Sequence, residues 1–266
     1  MRQFFGKYRG KVTSSKDPSF LGRIQVSVPA VLGDGTKSWA MPCVPYAGKD
    51  IGLFMVPPVN SNVWVEFEGG DPDYPIWSGC FWGKGELPKN ARVPDQETVQ
   101  VFETEGVTLT VSRFGVTKGI SLEIDEPVVE KPMKLVFDAK GIEINHHHKT
   151  TAKFLADSIE IKTGEQSAVT IANDSIQLKE KAVEIALTGN SIELKNNPSV
   201  IKLDSSNVTL SNSSAKVKIA PAGIELANSP GKAKVAPSGV ELGIGAASVK
   251  LSPVSVNVNN GALEVI

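Results

Sequence analysis

Three histidines stand side by side, His146, His147 and His148, and the chain holds no others. Imidazole titrates near neutrality and is the commonest protein metal ligand. In extended backbone Ile142, Ile144, His146 and His148 share one parity, so His146 and His148 can continue an inward aliphatic row. If three chains share an axis, that pair supplies six imidazoles, a sensible octahedral ligand set. The plainer alternative is a solvated corner between GIEI (141–144) and SIEI (158–161). Asp71 and Asp73 offer carboxylates for metal or acid–base work. They sit in Gly69-Gly70-Asp71-Pro72-Asp73, which is hairpin-turn composition, and no His or Cys is nearby. Cys43 and Cys80 could pair, or stay as buried free thiols in a reducing compartment. Trp39, Trp64, Trp77 and Trp82 could form a stacking platform for single-stranded nucleic acid. None of these sets assembles a catalytic constellation. The expectation is no enzyme and no cofactor, with an axial metal ion at His146 and His148 as the sole exception.

The charge balance narrows the function classes. There are 28 Lys+Arg against 29 Asp+Glu, a net charge of −1. Binding driven by counterion release needs a basic surplus, so the nucleic-acid reading lacks its main driving force. No apolar stretch approaches the ~18 residues that cross a bilayer as a helix. The start, MRQFFGKYRG, has no apolar core of a secretory signal. Two cysteines are too few for a disulfide scaffold or a cysteine-rich zinc module.

The elements that would position these residues change character along the chain. All four tryptophans and all three tyrosines precede residue 83, and after Phe137 the only aromatic is Phe154. Residues 1–92 read as a compact β domain. GRIQVSV (22–28) and NVWVEFEG (62–69) alternate apolar and polar residues, and FFGKYRGKVTS (4–14) and PIWSGCFW (75–82) are further candidate strands. Gly/Pro turns separate them, which suggests a small barrel. PYAGKDIGLF (45–54) falls at the central crossover of a five-stranded barrel, and its glycines disfavour a long helix.

Residues 141–266 carry an internal repeat. GIEI (141–144), SIEI (158–161), SIQL (175–178), SIEL (191–194), NVTL (207–210), GIEL (223–226), GVEL (239–242) and SVNV (255–258) recur at steps of 16 or 17. A second apolar pair, such as Val183/Ile185 or Val217/Ile219, falls halfway between, so the unit is about eight residues. Each unit is a short strand followed by a turn of Gly, Asn, Ser or Pro. The expected inward residues include Ile159, Ile161, Ile192, Leu194, Ile224, Leu226, Val240 and Leu242. Glu143, Glu160, Glu193, Glu225 and Glu241 alternate with them and point outward. That solvated placement disfavours a polysaccharide-cleaving β-helix. Two small apolar residues per strand cannot close a dry core in one chain, whereas three chains around one axis can. About 15 units at ~4.8 Å spacing give a rod on the order of 70 Å long. Residues 93–140 hold strands of irregular spacing, GVTLTVS (106–112), GISLEID (119–125) and KLVFDAKGIEI (134–144), and read as a neck.

The run GRIQVSVPA…WAMPCVPYAG…GLFMVPPVNSNVWVEFEGGDPDYPIWSGCFW (22–82) resembles the OB-fold domain of central spike proteins of contractile injection machines. That family holds the phage baseplate assembly protein V group and the VgrG spikes of type VI secretion. Asn60 stands where the family often has Gly. The repeat at 141–266 is similar to the family's trimeric β-helix needle. The resemblance implies an all-β fold: an OB-fold collar (1–92), a neck (93–140) and an intertwined, trimeric triple-stranded β-helix needle (141–266). It implies a homotrimeric puncturing spike that is assembled in the cytoplasm, sits in a baseplate and is driven into a target envelope on contraction. The large hub domain of VgrG proteins has no counterpart before residue 4, so docking on a separate hub protein is expected. Residues 86–106 are too few for the lysozyme domain of some phage spikes. Some family members use a His-x-His pair at the needle tip, whereas this pair is at the base. Leu263, Val265 and Ile266 keep the apolar row to the last residue, and an open strand edge needs a cap. The resemblance points to a PAAR-type tip protein docked there. The other reading is an OB-fold that binds single-stranded nucleic acid and carries a β-repeat tail.

Overall fold

The computed structural model describes residues 2–114 and 118–265. The chain divides into two units, Met1–Arg92 and Val93–Ile266.

The first unit is a closed five-stranded barrel with strand order β1-β2-β3-β7-β6. Its strands are β1 (Tyr8–Ser14), β2 (Ile24–Ser27), β3 (Ser38–Pro42), β6 (Asn62–Phe67) and β7 (Pro75–Cys80). All pairings are antiparallel except β3 with β7. Alternation decides the interior, as the burial of β6 shows, with Val63, Val65 and Phe67 inside and Asn62, Trp64 and Glu66 more exposed. Val12, Ile24, Val26, Val28, Ala40 and Trp77 complete the core. The 45–54 segment is a small hairpin of β4 (Ala47–Gly48) and β5 (Ile51–Gly52). A single helical turn follows β2 at Pro29–Leu32, where proline at the first helical position presets φ.

A loop between β1 and β2 is held by one carboxylate. Asp17 accepts from the backbone N–H groups of Ser19, Leu21 and Arg23, and from the Arg23 guanidinium at 2.8 Å. The Arg23 guanidinium, then these N–H groups, hold the Asp17 carboxyl well below the usual carboxylate range.

The second unit is one ladder of twenty described strands, from β8 (Val99–Thr104) to β27 (Leu263–Val265). Each strand pairs antiparallel with the next in sequence. The ladder hydrogen bonds therefore run within the chain. At ~4.8 Å per strand it extends on the order of 90 Å. Most strands have six residues and are joined by turns of two or three. Turn chemistry sets the reversals. Asp138 accepts from the N–H groups of Lys140 and Gly141 at 2.8 and 3.2 Å, which divides KLVFDAKGIEI into β11 (Met133–Asp138) and β12 (Gly141–His146). Gly141 has φ 141°, and a Cβ there would lie 1.9 Å from the Phe154 carbonyl oxygen. Only glycine fits. The expected neck strands β9 (Val107–Ser112), β10 (Gly119–Ile124) and β11 join this same ladder.

Candidate functional site: an apolar face with no cover within the chain

Strand register gives the second unit two unlike faces. Ile185 pairs with Leu194 and Leu187 with Ile192, then Leu194 with Ile201 and Ile192 with Leu203. The same two columns continue through Ile219–Ile224–Val235–Val240–Leu251 and Val217–Leu226–Ala233–Leu242–Val249. Ile159, Ile161, Ile192, Leu194, Ile224, Leu226, Val240 and Leu242 all lie on this face, two residues apart within each strand. The largest side chains are near the start of the ladder, where Phe137 and Phe154 flank Ile142.

Among the described residues nothing covers this face. Every buried hydrophobic residue among them lies in the barrel, between Val12 and Trp77. On the ladder Ile192 is 42% exposed and Ile224 45%, and over twenty large apolar side chains on this face are in the same state. A soluble monomer rarely shows an apolar patch above a few hundred Å², and this one runs the length of the ladder.

The opposite face is charged and paired. Lys218, Glu225, Lys234, Glu241 and Lys250 stand directly opposite one another on successive strands. Glu143, Lys153 and Glu160 do the same nearer the start. Ion pairs form at 3.1 Å between Lys153 and Glu143, 2.7 Å between Lys162 and Glu160, and 3.0 Å between Lys232 and Glu241. The bond from Lys162 lowers the Glu160 carboxyl below its ordinary range, and that from Lys232 does the same for Glu241. Such exposed pairs add little stability, but they fix which face meets water.

The remaining candidates fall as follows. His146 ends β12 on the apolar face, opposite Met133 and Thr150. His147 and His148 both take left-handed φ, 54° and 52°, so the alternation stops at His146 and His148 is in the turn. His147 donates its N–H to the Pro132 carbonyl, and its Nδ1 is buried with no partner among the described residues. Burial, then Lys131 and Lys149, push the His147 pKa down. Asp71 closes a turn by accepting from the Asp73 N–H at 3.0 Å. Cys43 and Cys80 are free and both are exposed, rather than the expected buried thiols, although partial burial pushes the Cys80 thiol up. Trp77 is core at 5% exposure, Trp64 stacks on Phe81 at 4.7 Å, and Trp39 carries Arg23 over its ring. Leu263 is 60% exposed on the apolar row, opposite Val258. Val265 lies in the same strand, and Ile266 lies outside the described residues.

Comparisons with known proteins meet both units. The profile of the type VI secretion system/phage-baseplate injector OB domain matches residues 8–82. The profile of the phage baseplate V C-terminal trimerisation domain matches residues 184–264. A stretch of 73 residues is 33% identical to the type VI secretion system spike protein VgrG5 of Pseudomonas aeruginosa PAO1, covering 27% of this chain and 9% of that relative. The chain thus spans a small fraction of the curated relative it matches.

Proposed function

We propose that this chain, which matches both the injector OB domain and the baseplate V trimerisation domain of phage-baseplate and type VI secretion spike proteins, works as the homotrimeric central spike of a contractile injection machine. Three copies turn their apolar faces inward as a prism, with the Lys–Glu faces in water. The barrels dock on a separate hub, a PAAR-type tip protein caps the far end, and contraction drives the shaft through a target envelope.

The uncovered apolar face carries this reading. Covering the exposed half of each aliphatic side chain contributes about 1 kcal/mol. More than twenty such side chains per chain exceed the cost of association, about 4–15 kcal/mol. Stiffness follows from the ladder itself, which has hydrogen-bonded strands along its length and few long loops. The role is mechanical, and no residue set among those described supports a catalytic step. Electron microscopy of the purified protein tests it. Rods with threefold symmetry support the reading, and compact single-chain particles would refute it.

A further inference from the structure

The apolar face has a third column, and it is polar. It runs along one margin through Thr163, Ser167, Glu180, Asn196, Ser199, Asn212 and Asn228, broken by Val183, Ala215 and Gly231. These residues share parity with the aliphatic columns, so they belong to the face that the trimer covers. The opposite margin has no such column. Its end residues, Ser175, Ser191 and Gly223, have the parity of the charged face.

The three asparagines recur at 16-residue steps, 196, 212 and 228, once per hairpin. Among the described residues their hydrogen-bonding capacity is only partly used within the chain. Asn212 Nδ2 donates to Ser199 Oγ at 3.0 Å, which leaves its Oδ1 open. Asn228 Oδ1 accepts from Ser214 Oγ at 3.1 Å, which leaves its Nδ2 open. Among the described residues no side-chain partner meets Asn196. Covered polar groups of this kind need partners. The return strand beside each asparagine carries a small residue, Ser199, Ala215 or Gly231. Beside Asn212 this leaves a concavity of about 310 Å³ lined by Ser199, Ile201, Leu210, Ala215 and Val217. The column turns apolar at Ile244, which is 68% exposed.

We infer that Asn196, Asn212 and Asn228 bind the neighbouring copy of this chain across the seams of the prism, and so fix which margins meet and at what height. This rests on the trimer reading. In a threefold ring each contact is heterologous, one margin against the other margin of the next copy. A polar margin facing an apolar one gives that contact a direction. The neighbour's aliphatic side chains enter the concavities, and the open amide groups pair with its backbone at the seam. A single polar position inside an apolar interface specifies register in the same way in coiled coils.

The test uses the full-length protein with Asn196→Val, Asn212→Val and Asn228→Val, singly and combined, against outward-facing controls Ser211→Val and Ala227→Val in the same strands. Solution mass and amide hydrogen exchange by mass spectrometry are read together. The expected result is a trimer whose strands 191–196, 208–212 and 223–228 exchange at least tenfold faster in the combined variant, with the controls unchanged. If the combined variant does not assemble, Asn212→Val alone must show the same direction around 208–220. A trimer whose asparagine variants exchange like the controls overturns this inference and leaves the trimer standing. A monomeric unmutated protein overturns both.

Discussion

Ile224→Asp places a carboxyl on the apolar face, in a column with Ile219 and Val235. Within one chain Ile224 is 45% exposed, so the trimer covers what remains. Full burial of an isoleucine contributes about 1.5–3 kcal/mol, and the covered remainder about 1 kcal/mol per chain. The new Asp must also stay charged in apolar surroundings or take up a proton. At pH 7 protonating an ordinary Asp costs about 4 kcal/mol, which caps that penalty per chain. Three chains together lose on the order of 10–15 kcal/mol, comparable to the whole stability of a domain. Glu225→Ala, one residue along, removes a charge that stands between Lys218 and Lys234 on the wet face. Exposed pairs are worth about 0–1 kcal/mol. Thermal melting followed with light scattering should show Ile224→Asp trimers opening well below the parent, with Glu225→Ala within a few degrees of it. Recovery of the Asp variant near pH 3.5 would identify the charge as the cause. Equal effects of the two substitutions would refute the assignment of faces.

Three further outcomes are expected. Asp17 has a folded pKa below its unfolded one, so the stability it contributes is present at neutral pH and is lost only as pH falls below about 3.9. Acid unfolding of the barrel, followed by tryptophan fluorescence, should begin at higher pH in Asp17→Asn. Gly223→Ala puts a Cβ 2.1 Å from the Val235 carbonyl oxygen at φ 132°, which costs at least about 2 kcal/mol per chain and should appear as a lowered melting midpoint. His147 has a lowered folded pKa, so below about pH 6.5 the unfolded turn binds protons first and the turn between β12 and the next strand, Thr150–Leu155, loosens as pH falls. Protection of the 146–150 amides, taken relative to the intrinsic exchange rate at each pH, should fall between pH 7 and 5, and His147→Gln should remove that fall.

The ladder was legible because its information is local. Parity places Ile224 and Glu225 on opposite faces, and a two-residue turn fixes the register of the next strand. The barrel needed more. Its β3 strand, SWAMP, does not alternate cleanly and ends in proline, and its parallel pairing with β7 links Met41 to Ile76, a contact that no local pattern announces. β8 was equally hidden, since VQVFET follows a polar stretch and its pairing with β9 depends on the Glu105-Gly106 turn. The alternation runs through His146 but not to His148, because the turn begins at His147 and left-handed backbone ends it. The polar margin of the apolar face was visible in the letters, but only pairing across strands turns Asn196, Asn212 and Asn228 into one column.

The mass of the purified protein in dilute buffer addresses the central claim most directly. Light scattering should give three times 28.3 kDa, with residues 93–258 resistant to protease as long as that mass persists. A stable 28.3 kDa particle with the same segment already protected would contradict it, because one chain leaves that face open to water.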